Sequence, residues 1–162
     1  MFNRNGRQIT IAVTCIGSGV AQSIVNSLRS SSLNTRIVGM GNNMFAFGLY
    51  DCDMHDYLPS IYSSDYRGRL LEKCQQYGVQ VLLPGLDDDA SFLSQQTEWF
   101  RERGVEVLVS GPDLVAACRD KVKICNLLHD VTDSFVESFT RKNFPEALDS
   151  GKLRYPFIAK PL

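Results

Sequence analysis

Four short stretches of the chain carry residue types that could bind a small molecule or an anion. They are CIGSGVAQS, GLDDDASF, RDKVK and YPFIAKP. Glycines let a backbone approach a ligand, lysines attract phosphates, and aspartates bind cations or cap helices. Binding of phosphate and of small polar molecules is therefore the chemistry that the sequence offers first.

The first stretch places Gly17, Ser18 and Gly19 between an apolar run and a helical pattern. Such a turn exposes the N–H groups of a helix N-terminus to a ligand. The third glycine of GxGxxG is replaced by Gln22, and the next strand ends in VGMGNN without a ribose-binding acid. A substrate site, a nicotinamide dinucleotide site and a turn of small residues needed only for packing all fit this pattern.

The aspartates Asp87, Asp88 and Asp89 follow another apolar run. In open α/β sheets ligands bind at the carboxyl ends of the strands, where these residues fall. Acids also suit the cap and first turn of a helix. We predict that Asp88 or Asp89 caps the helix and that Asp87 lines a substrate cleft.

Lys121 and Lys160 are each open to two explanations. Lys121 lies in the first turn of a predicted helix, where a cation opposes the macrodipole, and Lys160 ends an apolar run. Both could be surface charges, Lys121 beside an Asp120 cap and Lys160 as a guard against edge-strand aggregation. The alternative for both is a phosphate ligand.

The composition narrows the class of protein. The 162 residues are 44% hydrophobic and 22% charged with a net charge of -1, which is typical of a globular protein and gives no reason to expect nucleic acid or an anionic membrane as partner. The five cysteines form no CxxC, and the two histidines have no metal-ligand spacing. We expect a cytoplasmic protein with no metal site and no catalytic residue of its own, and Cys15 is interpreted as a core residue of the first strand.

Strand and helix patterns alternate along the first part of the chain, which predicts an α/β fold with a Rossmann-like, doubly wound parallel sheet. Val20, Ile24, Val25 and Leu28 form one apolar helical stripe. Residues 42–64 fit no pattern. The predicted strands are QITIAVTCI, NTRIVGMG, VQVLLPG and VEVLVSG, and the predicted helices are VAQSIVNSLRSS, SDYRGRLLEKCQQYG, DDDASFLSQQTEWFRERG and PDLVAACR.

The alternation changes after Arg119. A helix in DKVKICNLLHD, a strand in SFVESF, a short helix in FPEALDSG and a strand in YPFIAKPL do not extend the preceding sheet. We therefore predict a first domain over residues 1–118 and the beginning of a second over residues 119–162.

Taken in order, GSG, LLPGLD, VEVLVSGPDLVAACRDK and YPFIAKP resemble the N-terminal part of ATP-grasp enzymes. The likeness is to the large subunit of carbamoyl phosphate synthase and to biotin carboxylase-type ligases. It implies a preATP-grasp domain followed by the start of an ATP-grasp domain. It also implies ATP and magnesium as cofactors of the full-length protein, with Lys121 and Lys160 on the nucleotide.

The resemblance implies an enzyme that activates a carboxylate or bicarbonate-like substrate as an acyl phosphate and passes it to an amine. Gly17, Ser18, Gly19 and Asp87 would then line the substrate cleft. The glycine-rich loop and magnesium ligands of such enzymes would follow Leu162, so we expect a truncated chain that is inactive alone. A NAD(P)-binding Rossmann module and a non-catalytic small-molecule-binding module are the rival hypotheses. An unpaired apolar strand also predicts a homodimer.

Overall fold

The computed structural model describes residues 6–129, 131–132 and 138–159. The chain divides into two compact units, Met1–Pro112 and Asp113–Leu162. The predicted boundary after Cys118 concerns the start of an ATP-grasp domain, which this division into compact units does not test, and it stays a prediction.

The first unit is built on a five-stranded sheet in which every pairing is parallel. The strand order is β3-β2-β1-β4-β5. The chain therefore moves outward from β1 in one direction and then in the other, and the carboxyl ends of β1 and β4 flank the point of reversal. The predicted α/β, doubly wound parallel sheet is confirmed. Its strands are β1 (Ile9–Val13), β2 (Thr35–Gly41), β3 (Met54–Tyr57), β4 (Val81–Leu83) and β5 (Glu106–Val107).

Helices connect the strands, and typical capping residues mark where they begin and end. Ser18 caps α1 by accepting a hydrogen bond from the Ala21 N–H at 2.9 Å, and Gly78 ends α2 in the left-handed conformation with φ of 65°. The helices of this unit are α1 (Gly19–Ser30), α2 (Tyr66–Tyr77), α3 (Asp87–Ser94) and α4 (Thr97–Arg101), with a 3-10 turn at Phe47–Asp51.

The core lies on both faces of the sheet. Alternate residues of β1 divide between two apolar clusters, Ala12 on one side with Leu82 and Phe100, and Val13 on the other with Val25. All five of these side chains are buried. Burial on both faces explains why the central strands read as continuous apolar runs.

Two expectations for this unit were wrong in detail, and one stretch that carried no prediction contains a strand. The unassigned residues 42–64 contain the edge strand β3. The single helix expected over residues 87–104 is broken into α3 and α4, with Gln95 and Gln96 between them. Val20 is 56% exposed, so the apolar stripe of α1 begins at the next turn and not at the first.

The remaining helices are α5 (Pro112–Arg119), which begins at the last residue of the first unit, and α6 (Lys121–Leu128) and α7 (Phe144–Asp149) of the second unit. The Asp120 carboxylate caps α6 by accepting bonds from the N–H groups of Val122 and Lys123, both at 3.0 Å, as predicted. Residues 155–159 do not form the strand expected there, because a strand requires a paired neighbour and no described residue pairs with them. Most of SFVESF and Lys160 lie outside the described residues.

Candidate substrate-binding site

A cleft of about 290 Å³ opens at the carboxyl edge of the sheet, beside the point where the strand order reverses. The loops that follow β1, β2 and β3 form three of its sides, and the start of α3 forms the fourth. This is the position at which open α/β sheets bind their ligands. The lining residues are Cys15, Gly17, Ser18, Gly41, Asn42, Asn43, Leu58, Pro59, Ser60, Ile61, Tyr62, Tyr66, Leu86 and Asp88.

The turn after β1 is joined to the turn after β4 by a group of hydrogen bonds. The Ser18 hydroxyl donates a short bond to the Gly85 carbonyl while its oxygen caps α1. The Gly85 N–H donates to the Thr14 hydroxyl at 3.4 Å, and that hydroxyl donates to the Leu83 carbonyl at 3.4 Å. These bonds hold the two sides of the cleft in one geometry.

Gly85 is required for that close approach. A Cβ atom at this position would lie 2.1 Å from the Thr14 carbonyl oxygen and 2.7 Å from the Ala21 Cβ. A Cβ at Gly19 would meet no atom within 4 Å. Packing therefore demands glycine at position 85, whereas at position 19 it leaves open space beside the N-terminus of α1.

A buried carboxylate lies beneath the cleft. Asp89 is 0% exposed, its Oδ1 accepts a 2.5 Å hydrogen bond from the Tyr66 hydroxyl, and its Oδ2 has no hydrogen-bond partner in the described structure. Burial, together with the Asp89 charge, raises the pKa of Tyr66 well above its ordinary value. The same two causes raise the pKa of the Cys15 thiol to about 12. Both side chains thus stay protonated around this carboxylate at neutral pH.

Cys15 is not the strand-core residue that the sequence indicated. It follows β1 with a φ of 49°, is half-buried and lines the cleft. A positive φ is uncommon for a residue with a side chain. It turns the chain sharply between the strand and the Gly17–Gly19 turn.

The acidic turn at the start of α3 also differs from expectation. The N-cap residue is Leu86, which makes no side-chain capping bond, so neither Asp88 nor Asp89 caps the helix. Asp88 accepts a 2.5 Å hydrogen bond from the Tyr62 hydroxyl instead. Because α3 begins at Asp87, Asp88 and Asp89 lie inside its first turn and not at the cap position. Their carboxylates accept hydrogen bonds from the tyrosines that follow β3.

Of the residues predicted to bind substrate, Gly17 and Ser18 line the cleft. Gly19 and Asp87 are the exposed first residues of α1 and α3 and are not among the lining residues. Lys121 is the exposed first residue of α6, in the second unit.

Sequence reasoning missed Tyr62 and Tyr66. Tyr62 lies in the stretch that fits no pattern, and Tyr66 lies just after it, in the predicted helix SDYRGRLLEKCQQYG. Their position after an edge strand is the signal that could have found them, because the loop after β3 reaches the same sheet edge as the loops after β1 and β4.

The described residues hold no group of three or more His, Cys, Asp or Glu side chains arranged to bind a metal ion. In the same part of the chain, no helix combines the length and the apolar character that crossing a bilayer requires. Among the described residues, the lining of the cleft combines the Asp88 carboxylate with several hydroxyl and amide groups and an apolar wall.

The sequence of residues 11–108 matches the family model described as "PylC-like, N-terminal domain". No curated protein matches the sequence.

Solved structures show the same fold at low sequence identity. N5-carboxyaminoimidazole synthetase from Staphylococcus aureus in complex with ADP is 12% identical with a TM-score of 0.57, over 88% of this chain and 36% of that chain. The biotin carboxylase domain of a single-chain bacterial carboxylase is 13% identical with a TM-score of 0.56, over 89% and 34%. The biotin carboxylase domain of a thermophilic 2-oxoglutarate carboxylase bound to bicarbonate is 11% identical with a TM-score of 0.53, over 74% and 27%. The chain thus spans about a third of the length of these structures.

Proposed function

Because this chain belongs to the PylC-like N-terminal domain family, we propose that it is the preATP-grasp domain, with the start of the ATP-grasp domain, of an ATP-dependent ligase. The observation that carries the proposal is the family match over residues 11–108 on a sheet whose carboxyl edge opens into a cleft. The similar folds of a synthetase solved with ADP and of biotin carboxylase domains support it.

The proposed reaction has two steps. The γ-phosphoryl group of magnesium-ATP moves to a carboxylate or bicarbonate oxygen, which gives an acyl phosphate and ADP. An amine then attacks the acyl carbon, the bond to the phosphate oxygen breaks, and inorganic phosphate and a proton leave. Catalysis of such a transfer depends on positioned charges around the phosphates.

In this proposal Lys121 and Lys160 bind the phosphates of ATP. Lys121 is exposed at the first position of α6, where its ammonium is accessible to an anion. A flexible ammonium is a suitable point-charge partner for a polyphosphate. Lys160 is assigned on the family resemblance of YPFIAKP alone.

The substrate is proposed to bind at the sheet edge. Gly17 and Ser18 line the cleft, and the open space beside Gly19 leaves room for a ligand at the start of α1. Asp87 lies on the same turn as the lining residue Asp88. Residues 6–129, 131–132 and 138–159 offer no three-residue acidic cluster for magnesium.

The experiment is an assay of ADP formation from magnesium-ATP by the protein expressed from the whole gene. We expect ADP formation to require a carboxylate substrate, to rise when an amine is added, and to fall strongly in Lys160→Ala. Absence of ADP formation across a broad panel of carboxylates and amines, together with micromolar binding of NADH or NADPH, would instead support the nicotinamide-binding module.

Two further properties are proposed for the 162-residue chain itself. It turns over no ATP alone, and a magnesium-dependent ATPase activity abolished by Lys160→Ala would contradict this. It also pairs as a homodimer through its apolar C-terminal segment, where Tyr155 and Ile158 are 76% and 84% exposed. A single monomeric species in light scattering at high concentration would contradict the dimer.

A further inference from the structure

The backbone of Cys15 determines where the turn after β1 lies. Among the described residues, Cys15 is the one non-glycine residue with a positive φ, 49°. Its carbonyl accepts a hydrogen bond from the Ser18 N–H at 2.9 Å, and the N–H of the next residue, Ile16, donates to the Met40 carbonyl at 3.1 Å. Gly17 and Ser18, which line the cleft, therefore take their position from the conformation of Cys15.

A left-handed conformation at a residue with a side chain requires support from its surroundings. Such residues persist only where neighbouring groups fix them, and they occur preferentially at ligand-binding sites. On one side of Cys15 the support is apolar, because the Ile16 side chain is fully buried in the cluster that contains Val25 and Ile37. The Cys15 side chain itself is the second point at which the turn can be fixed.

The Asp89 carboxylate is the group that meets the Cys15 thiol. Burial raises the pKa of this thiol to about 12, followed by the Asp89 charge, hydrogen bonding to Asp89 and the more minor Asp88 charge. A thiol is a weak donor, and in the described structure no donor meets hydrogen-bond geometry at the Asp89 Oδ2. The Asp89 Oδ1 accepts the strong 2.5 Å bond from Tyr66, the first residue of α2. The buried carboxylate thus connects α2 to the Cys15 turn.

We propose that Asp89 is a positioning residue of the cleft: its carboxylate, fixed by Tyr66, holds the Cys15 side chain and keeps the turn through Ser18 in the conformation that receives the substrate. The inference rests on the proposed ligase function for the word substrate. Asp89 is 0% exposed, so it acts through Cys15 and does not touch the ligand. Loss of its charge should therefore weaken substrate binding and leave the chemical step unchanged.

The first test measures alkylation of single thiols in the 162-residue chain by iodoacetamide, followed by mass spectrometry. Asp89→Asn keeps the size of the side chain and an acceptor for Tyr66 while removing the charge. At about pH 9 it should raise the alkylation rate of Cys15 about tenfold, because a nearby carboxylate no longer opposes the thiolate. Cys74 is an internal control, since burial alone raises its pKa to about 12. Equal acceleration of both thiols, or no acceleration at Cys15, would overturn the proposal.

The second test follows the turn and the substrate. A positive φ brings the amide and α protons of a residue close together, so Cys15 should show a strong intraresidue NOE that weakens in Asp89→Asn. Because left-handed backbone is disfavoured about tenfold at such a residue, the KM for the carboxylate in the full-length protein should rise about tenfold with kcat kept within about twofold. Glu102→Gln removes an exposed charge at the end of α4, outside the cleft lining, and should change neither. An unchanged NOE and KM in Asp89→Asn would refute the positioning role.

A glycine at position 15 distinguishes positioning from a general effect on stability. Glycine adopts a positive φ without steric cost, so the turn of Cys15→Gly no longer needs the carboxylate. In that background Asp89→Asn should raise KM by less than about twofold. A rise of about tenfold in both backgrounds would mean that Asp89 acts by another route, and the proposal would be wrong.

A measurement on the unchanged chain covers the case in which Asp89→Asn does not fold. The half-buried Cys15 should be alkylated as slowly as the buried Cys74 and far more slowly than the exposed Cys118. A rate like that of Cys118 would overturn the proposal. Alkylation and the NOE need no ATP, so failure of the ATP assay leaves both results standing. An active ligase whose KM is unaffected by Asp89→Asn would refute this inference and leave the proposed function intact.

Discussion

Replacing Gly85 by alanine tests whether the two turns of the cleft are held together as the structure shows. The new Cβ would lie 2.1 Å from the Thr14 carbonyl oxygen, whereas heavy atoms in contact prefer about 3.5 Å. The turns must therefore separate by about 1.4 Å. This movement also strains the hydrogen bonds from Ser18 to Gly85 and from Gly85 to Thr14.

The expected cost follows from these two effects. Overpacking of a well-packed site costs about 1–3 kcal/mol, and each weakened hydrogen bond adds about 0.5–1.5 kcal/mol. We expect Gly85→Ala to lower the free energy of unfolding by about 3 kcal/mol. For a chain of this length that loss lowers Tm by about 6–12 °C.

The assay is thermal and urea unfolding followed by circular dichroism, with Gly19→Ala as the matched control. A methyl group at Gly19 meets no atom within 4 Å, so the control should change the unfolding free energy by about 0.5 kcal/mol or less. Equal stability of Gly85→Ala and Gly19→Ala would refute the close contact between the turns. Stabilisation by Gly85→Ala would do so as well.

Two further predictions concern buried groups. Tyr66→Phe removes the hydroxyl that donates to the buried Asp89, so it should cost about 2 kcal/mol in urea unfolding, and a loss below about 0.5 kcal/mol would contradict the bond. Burial raises the pKa of Cys74 from 9.0 to about 12. The unfolded chain loses this proton above about pH 9 while the native chain keeps it, so stability should fall by about 1.4 kcal/mol per pH unit up to about pH 12. Cys74→Ala should lack this contribution, and identical alkaline slopes in both proteins would contradict it.

The fold was predictable because its central strands are continuous apolar runs, which indicate strands buried on both faces. The run around Ile11 is apolar on both faces, and Pro112 and Asp120 mark helix starts that the structure confirms. The edge strand β3 was missed because MHDY is only four residues long and contains His55 and Asp56, which leave it without an apolar run. The break between α3 and α4 falls at two glutamines, which are good helix formers, so local propensity gave no warning.

The site was predictable only where backbone chemistry determines it. Gly17 and Ser18 predict a strand-to-helix turn, and both residues line the cleft. The roles of Asp88 and Asp89 depend instead on Tyr62 and Tyr66, which lie more than twenty residues away in sequence. Partners that meet only through the strand order cannot be read from local spacing. The sequence therefore indicated helix caps where the structure has tyrosine–carboxylate pairs.

The central claim is that this chain provides part of an ATP-dependent ligase. Its most direct test is a crystal structure of the full-length protein with magnesium and a non-hydrolysable ATP analogue, in which the distances from the Lys121 and Lys160 Nζ atoms to the nearest phosphate oxygens are measured. The account predicts that both distances lie within hydrogen-bond reach, about 3.2 Å or less. A bound nucleotide with either ammonium directed into solvent and far from the phosphates would contradict it.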